Sequence, residues 1–193
     1  MSVERKGTLL AVDGVSGAVV VASAHRLLAA SPRRGGVSRW DASGLFEQLM
    51  VDGDAAGLPS ARTLLLLYAA DLAFRLRWEI QPAIARGKTV VAAPYVATAI
   101  AVGRAAGLKG GWLRSLFCFA PKALDSTVAR GSIRRARKTG DGFVEFACRY
   151  LEGRQLGFTA RELAERTRVQ LDRARRERKS GATAKRGVKV RRR

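Results

Sequence analysis

The stretch from Gly7 to Ala30 constrains this chain most. Thr8 to Val12 is an apolar run of strand length, Asp13-Gly-Val-Ser-Gly17 is a glycine turn, and Ala18 to Ala30 is an apolar segment fit for a helix. Strand, glycine turn and helix make the frame in which backbone N–H groups and a helix N-terminus cradle an anion. Gly14, Ser16 and Gly17 are therefore the candidate anion-binding residues. The usual pattern is G-x-x-x-x-G-K-[ST]. Here Gly14 fills the first glycine, but Val19 stands at the second, Val20 at the lysine and Val21 at the hydroxyl that would hold magnesium. The frame is present without its charged chemistry.

The rest of the chain alternates in the same manner. Residues 31–36, Ser-Pro-Arg-Arg-Gly-Gly, read as a loop, broken by Pro32 and two glycines. Asp41 or Ser43 can cap a short helix over 44–51. Leu64, Tyr68, Leu72, Leu76, Ile80 and Ile84 recur every four residues, which predicts one helix over 62–86, capped by Ser60, kinked at Pro82 and ended at Gly87. Lys88–Ala93 reads as a buried strand stopped by Pro94. Helices are expected over 95–106 and 112–119, a weak strand over 126–129 and a basic helix over 132–138. Phe143, Phe146 and Tyr150 fall on one side of a further helix. Thr159 with Glu162 forms a T-x-x-E capping box that opens the last helix, expected to run to about Arg176. Alternating strands and helices imply an α/β fold with a parallel sheet flanked by helices.

The chain has 193 residues, 47% of them apolar, enough for one domain with a core. We place that domain at 1–179. From residue 180 the composition shifts to Ser, Gly, Ala, Lys and Arg, which cannot bury a core, so 180–193 is expected to be a disordered basic tail. The formal net charge is +20, and residues 161–193 carry 14 Lys/Arg against 4 Asp/Glu. Such a balance favours polyanions. Within the tail, Lys185, Arg186, Lys189, Arg191, Arg192 and Arg193 are the candidate nucleic-acid contacts. No apolar run is long enough for a membrane span, and no signal peptide is read at the N-terminus. Cys118 and Cys148 are far apart and lack metal-ligand spacing, which points to reduced, buried thiols in a cytoplasmic protein.

Several stretches together resemble thymidylate kinase, a nucleoside-monophosphate kinase of the P-loop class. Gly7–Ala22 is similar to its strand and phosphate loop, and Ser31–Gly36 to its R-E-P-G-G loop. Leu65-Leu-Leu-Tyr-Ala-Ala-Asp-Leu72 resembles its L-L-F-A-A-D-R helix. Ile80–Gly87 resembles I-x-P-A-L-x-x-G, and Val90–Val96 resembles V-I-C-D-R-Y-V. The order and spacing agree from about residue 7 to residue 130. The resemblance implies a P-loop kinase-like fold. It also implies an aromatic stack on the base at Tyr68 and substrate contacts from Arg33 and Tyr95.

The departures fall at the charged positions of the family. Val20 and Val21 replace the lysine and the magnesium ligand, Leu72 replaces an arginine, Ala93-Pro94 replaces Asp-Arg, and Gly103 replaces a glutamine. The resemblance therefore implies a degenerate member with no catalytic residues, no cofactor and no metal site. Such a chain acts by binding or regulation. The partners it implies are a second copy, an active kinase paralogue, or nucleic acid through the basic tail, with no membrane. The rival expectation is a residual dTMP kinase that uses ATP and magnesium. The residues themselves also carry plainer readings. Tyr68 continues the apolar stripe of its helix, Arg33 and Arg34 suit an exposed loop, and His25, the only histidine, lacks a partnering motif.

Overall fold

The computed structural model describes residues 7–49, 60–131, 142–151 and 159–190. Four strands form one parallel sheet in the order β2-β3-β1-β4. They are β1 (Thr8–Asp13), β2 (Arg34–Arg39), β3 (Thr89–Ala93) and β4 (Asp125–Val128). β3 is buried along its whole length, as a parallel strand covered on both faces should be. Successive side chains of a strand face opposite sides, and this sorts the core into two. Leu9, Ala11, Val90 and Ala92 join the larger cluster. Val12, Val91 and Ala93 join a smaller one with Val20 and Ala24 of α1 (Gly17–Ala29), which covers the other face.

The larger face is covered by helices. α2 spans 45–49, α3 is Ala61–Arg75, and α4 is Gln81–Ala85. α5 (Val96–Ala105) and α6 (Gly110–Leu116) follow β3, and α7 (Phe143–Leu151) and α8 (Ala160–Val190) close the chain. Ser60 caps α3 as expected, its hydroxyl accepting from Thr63 N–H at 3.1 Å. The capping box of α8 also forms. Thr159 N–H donates to Glu162 Oε2 at 2.6 Å, and Glu162 N–H donates to Thr159 Oγ1 at 3.3 Å. The carboxyl of Glu162 is lowered below its ordinary range by the bonds it accepts from the Thr159 N–H and from the Thr159 hydroxyl, the latter at 3.0 Å.

Four expectations need correction. Residues 34–36 are not loop but the start of β2, with a register shift between Arg34 and Gly36. Gly35 was legible as a turn residue; here it serves close approach, because a Cβ would lie 2.7 Å from the Thr89 carbonyl. The helix expected over 62–86 is not one α-helix. Leu76–Ile80 is a π turn, with Gln81 N–H donating to Leu76 C=O. Pro82 has no N–H and its ring crowds the carbonyl four residues back, so the ladder widens just before it. The last helix runs past the expected end at about Arg176, to Val190. Ala, Lys and Arg are good helix formers, and helix propensity decided what core burial could not. Cys148 is buried, but Cys118 is exposed. The basic helix expected over 132–138, and Arg191, Arg192 and Arg193, lie outside the described residues. Among the described residues no helix is long and apolar enough to cross a membrane.

Candidate functional site

Because the sheet is parallel, the C-terminal ends of all four strands open on one edge, where α/β folds place their sites. β1 delivers the turn 13–17, β2 delivers 40–44, and β3 delivers Pro94 and Tyr95. Two helix N-termini, those of α1 and α5, point at this edge, each with unsatisfied N–H groups and a partial positive charge.

Both are met by a carboxylate from the chain itself. Asp13, fully buried, takes α5. Its Oδ1 accepts from Tyr95 N–H at 3.0 Å, Thr98 N–H at 2.9 Å and the Thr98 hydroxyl at 2.8 Å. The Thr98 oxygen in turn accepts from Gly14 N–H at 3.1 Å. Burial pushes the Asp13 carboxyl above its usual range, while the bonds from Thr98 and Tyr95, and the charge of Arg178, act against that shift. Glu145 of α7 takes α1. Its Oε1 accepts from Gly17 N–H at 2.7 Å across 128 residues of sequence. The approach needs glycine at 142. That residue has φ +149, and a Cβ on it would lie 2.6 Å from Gly17 Cα and 2.7 Å from Glu145 Oε2. Two helix N-termini are thus pressed together, and a carboxylate placed between two positive ends offsets their repulsion.

Val19 and Val20, after the turn, are packed. Val20 is 1% exposed in the small core between β1, β3 and α1. Val19 lies against Gly131, where a Cβ would approach its methyl to 2.8 Å.

α3 supplies a buried polar cluster beside the turn. Arg75 Nε lies 3.0 Å from Asp71 Oδ2, with both side chains fully buried. Arg75 also donates to Pro94 C=O at 3.0 Å and to the Tyr68 hydroxyl at 3.4 Å. Asp71 Oδ1 accepts from the backbone and hydroxyl of Ser43 at 3.1 and 2.9 Å, tying the 40–44 loop to α3. Asp41, in the left-handed region at φ +57, accepts from Phe46 and Glu47 N–H at 2.8 and 2.9 Å and so caps α2. Burial raises the Asp41 carboxyl despite those two bonds.

Aromatic rings fill the remaining space. Tyr68 is fully buried, donates its hydroxyl to Tyr95 C=O at 3.0 Å, and packs on Phe143 with centroids 4.3 Å apart. Phe143, Phe146, Phe46 and Trp40 pack edge to face with one another at 4.8–5.9 Å. Tyr95 donates its hydroxyl to Pro121 C=O at 2.7 Å, and burial pushes its phenol up to about 12.

The structure brings Gly14, Ser16, Gly17, Tyr68 and Tyr95 to one edge. Arg33 lies elsewhere. Its carbonyl accepts from Thr89 N–H at 2.6 Å, at the N-terminal end of the sheet, beside a groove of about 460 Å³ lined by Thr8, Leu10, Leu27 and Pro32. The loop that reaches the site from β2 is 40–44 instead. Lys185, Arg186 and Lys189 fall within α8. Sequence reasoning missed Asp13, Thr98, Phe143 and Glu145 as site residues. Gly142 followed by Glu145 at the start of a helix was the available signal, but its partner Gly17 is far away in sequence. Among the described residues, no group of three His, Cys, Asp or Glu could hold a metal ion.

No protein-family model matches the chain, and no curated protein matches it. Among solved structures, the crystal structure of thymidylate kinase from Ehrlichia chaffeensis matches with a TM-score of 0.61 at 13% sequence identity, over 89% of this chain and 88% of that one. The chain is therefore similar in fold, over most of its length, to a thymidylate kinase.

Proposed function

We propose that this protein is a catalytically degenerate thymidylate-kinase-like protein that acts by binding, with a basic surface that attracts polyanions. The observation that carries this reading is the 2.7 Å bond from Gly17 N–H to Glu145. The N–H that a phosphate would use is given to an internal carboxylate, and a second negative group there would be repelled. Val20 is packed into the core at the lysine position, so its replacement is structural and no cation swings in from α1. Tyr68, the ring that would stack a base, is fully buried beside Phe143. ATP and magnesium do not fit this donor set.

Phosphoryl transfer is catalysed by positioning and by cations placed around the moving group. Each such electrostatic group is commonly worth on the order of 10²–10³ in rate, and several are replaced here at once. In a coupled assay at high protein concentration, dTMP-dependent ATP turnover should stay at background. Turnover of about 1 s⁻¹, the low end of ordinary enzymes, would overturn the proposal in favour of a residual kinase. The polyanion half of the proposal rests on the formal net charge of +20.

A further inference from the structure

α8 changes character at Arg178. From 160 to 177 it carries six cations against four acids, and from 178 to the end of the chain there are eight cations and no acid. The proximal half pairs its charges. Arg168 bonds Glu165 and lies 3.7 Å from Asp172, and Arg173 bonds Glu177 at 3.0 Å. That half is also anchored. Leu163, Thr167 and Leu171 are buried, and Ala160 and Ala164 pack on the same core. Beyond that anchor Arg176, Glu177, Arg178 and Ser180 are exposed.

The helical register continues across that point. Thr167 and Leu171 are followed in the same three- and four-residue steps by positions 174, 178, 182, 185 and 189. The line that packs on the body in the proximal half becomes Arg178, Lys185 and Lys189 in the distal half. Positions 179 and 186 fall beside it. Five cationic positions therefore share about a third of the helix circumference. A tail selected only for solubility has no reason to keep this phase.

We propose that the distal half of α8 is a duplex-DNA-binding helix that lies in the major groove with this cationic line on the phosphates. The proposal rests on the binding reading above and names its partner. An α-helix with its side chains is about 10–12 Å across, and the major groove of B-DNA is about 12 Å wide. The RNA major groove is deep and narrow and does not admit side chains. A membrane-surface helix needs bulky apolar residues opposite its cations, and from 172 to 193 the only apolar residues are Ala and Val. The segment 178–193 contains no Asn or Gln, so contacts to phosphates dominate and binding is nearly independent of base sequence.

The test uses the full chain, a labelled 20-base-pair duplex, the corresponding single strand, and anionic phospholipid vesicles, read by anisotropy and co-sedimentation over a salt series. Five phosphate contacts give a slope of log K against log salt of about −4.5 on the duplex. Lys185→Gln with Lys189→Gln should flatten that slope by about 1.8. Two charge-neutral changes separate a groove helix from a flexible arm. Ala184→Pro should weaken duplex binding at least tenfold. Gly181→Ala with Gly187→Ala should tighten it several-fold, since glycine disfavours the helix. Neither change should move the melting temperature. Duplex affinity unchanged in both charge-neutral variants would overturn the groove helix, as would tighter binding to the single strand. Binding to vesicles alone, or to none of the three probes, would overturn it as well. Each of these results can occur with phosphoryl transfer still at background, so failure here is distinct from failure of the reading it rests on.

Discussion

The edge of the sheet around residues 13–17 and the distal half of α8 both concern anions, and they handle them in opposite ways. At the edge, positive helix ends are matched from within: Asp13 meets α5 and Glu145 meets α1, each at hydrogen-bond distance. Beside them Arg75 is matched by Asp71 with no exposure of either. On α8 beyond Glu177, eight cations have no acid at all. Burial explains the contrast. An unpaired charge in the interior costs several kcal/mol, so the fold tolerates only matched ones. An exposed position such as Arg178 is under no such constraint. Charge that is counted from composition thus says little until its position is known.

The sharpest way to break the comparison is to unbalance the interior. Asp71→Ala leaves Arg75 buried without its carboxylate and Ser43 without its acceptor. The expected loss is about 3–5 kcal/mol, a fall in melting temperature of roughly 10 °C for a domain of this size. Asp71→Leu with Arg75→Met removes both charges and should recover most of the loss. Thermal unfolding by circular dichroism reads all three proteins. A loss under about 1 kcal/mol for Asp71→Ala would mean that the interior does not need matched charges, and the contrast with α8 would disappear.

A smaller effect is expected at Glu145, whose partner is a backbone N–H rather than a buried cation. Glu145→Ala removes one charge-assisted bond and should cost about 1.5–3 kcal/mol. The informative measurement is the response to sulfate. The wild-type edge already holds its anion, so sulfate should stabilise Glu145→Ala more than wild type. At ten times its dissociation constant, bound sulfate adds about 1.4 kcal/mol. Equal sulfate responses in the two proteins would show that Gly17 N–H and the start of α1 do not constitute an anion site, which removes the chemical parallel with α8.

How much of this was legible in the sequence follows from the range of each interaction. β1, α1 and β3 are local: an apolar run, a glycine turn and a period suffice, and the structure places them within a residue or two of expectation. β2 was illegible because Arg34, Gly35 and Gly36 carry turn residues, and what makes them strand is the pairing with Thr89 and Val90 some fifty residues on. The candidate site divides in the same manner. Gly14, Gly17, Tyr68 and Tyr95 come from local motifs. Glu145 and Phe143 occupy the site only because α7 returns to it from far along the chain, and no local pattern in 143–151 reports that Gly17 and Tyr68 are waiting there. On α8 the expected end at about Arg176 fell short for another reason: apolar content drops there, while Ala, Lys and Arg remain good helix formers.

The smallest expected effect, and the one that tests whether the edge is truly closed, is at Asp13. Its carboxyl is raised from an ordinary value of 3.8, first by burial, with hydrogen bonds and the charge of Arg178 opposing. A raised value means that the folded state keeps a proton which the unfolded chain has already released, in the window from 3.8 up to the folded value. Stability must then fall as pH rises through that window and level off above it. Asp13→Asn keeps the shape and the Oδ1 acceptor for Tyr95 and Thr98, and cannot titrate. Near pH 4 the two proteins should differ by only about 1 kcal/mol, since both present a neutral group. With rising pH wild type should lose stability relative to Asp13→Asn, as read by urea unfolding at a series of pH values. The opposite slope would mean that Asp13 is held ionised by its bonds to the start of α5 and by Arg178. Arg178 is the first residue of the acid-free half of α8, so that result would make the interior and the arm one electrostatic unit. Truncation after Glu177 removes that charge, so it should raise the Asp13 carboxyl further and widen the pH window over which stability falls.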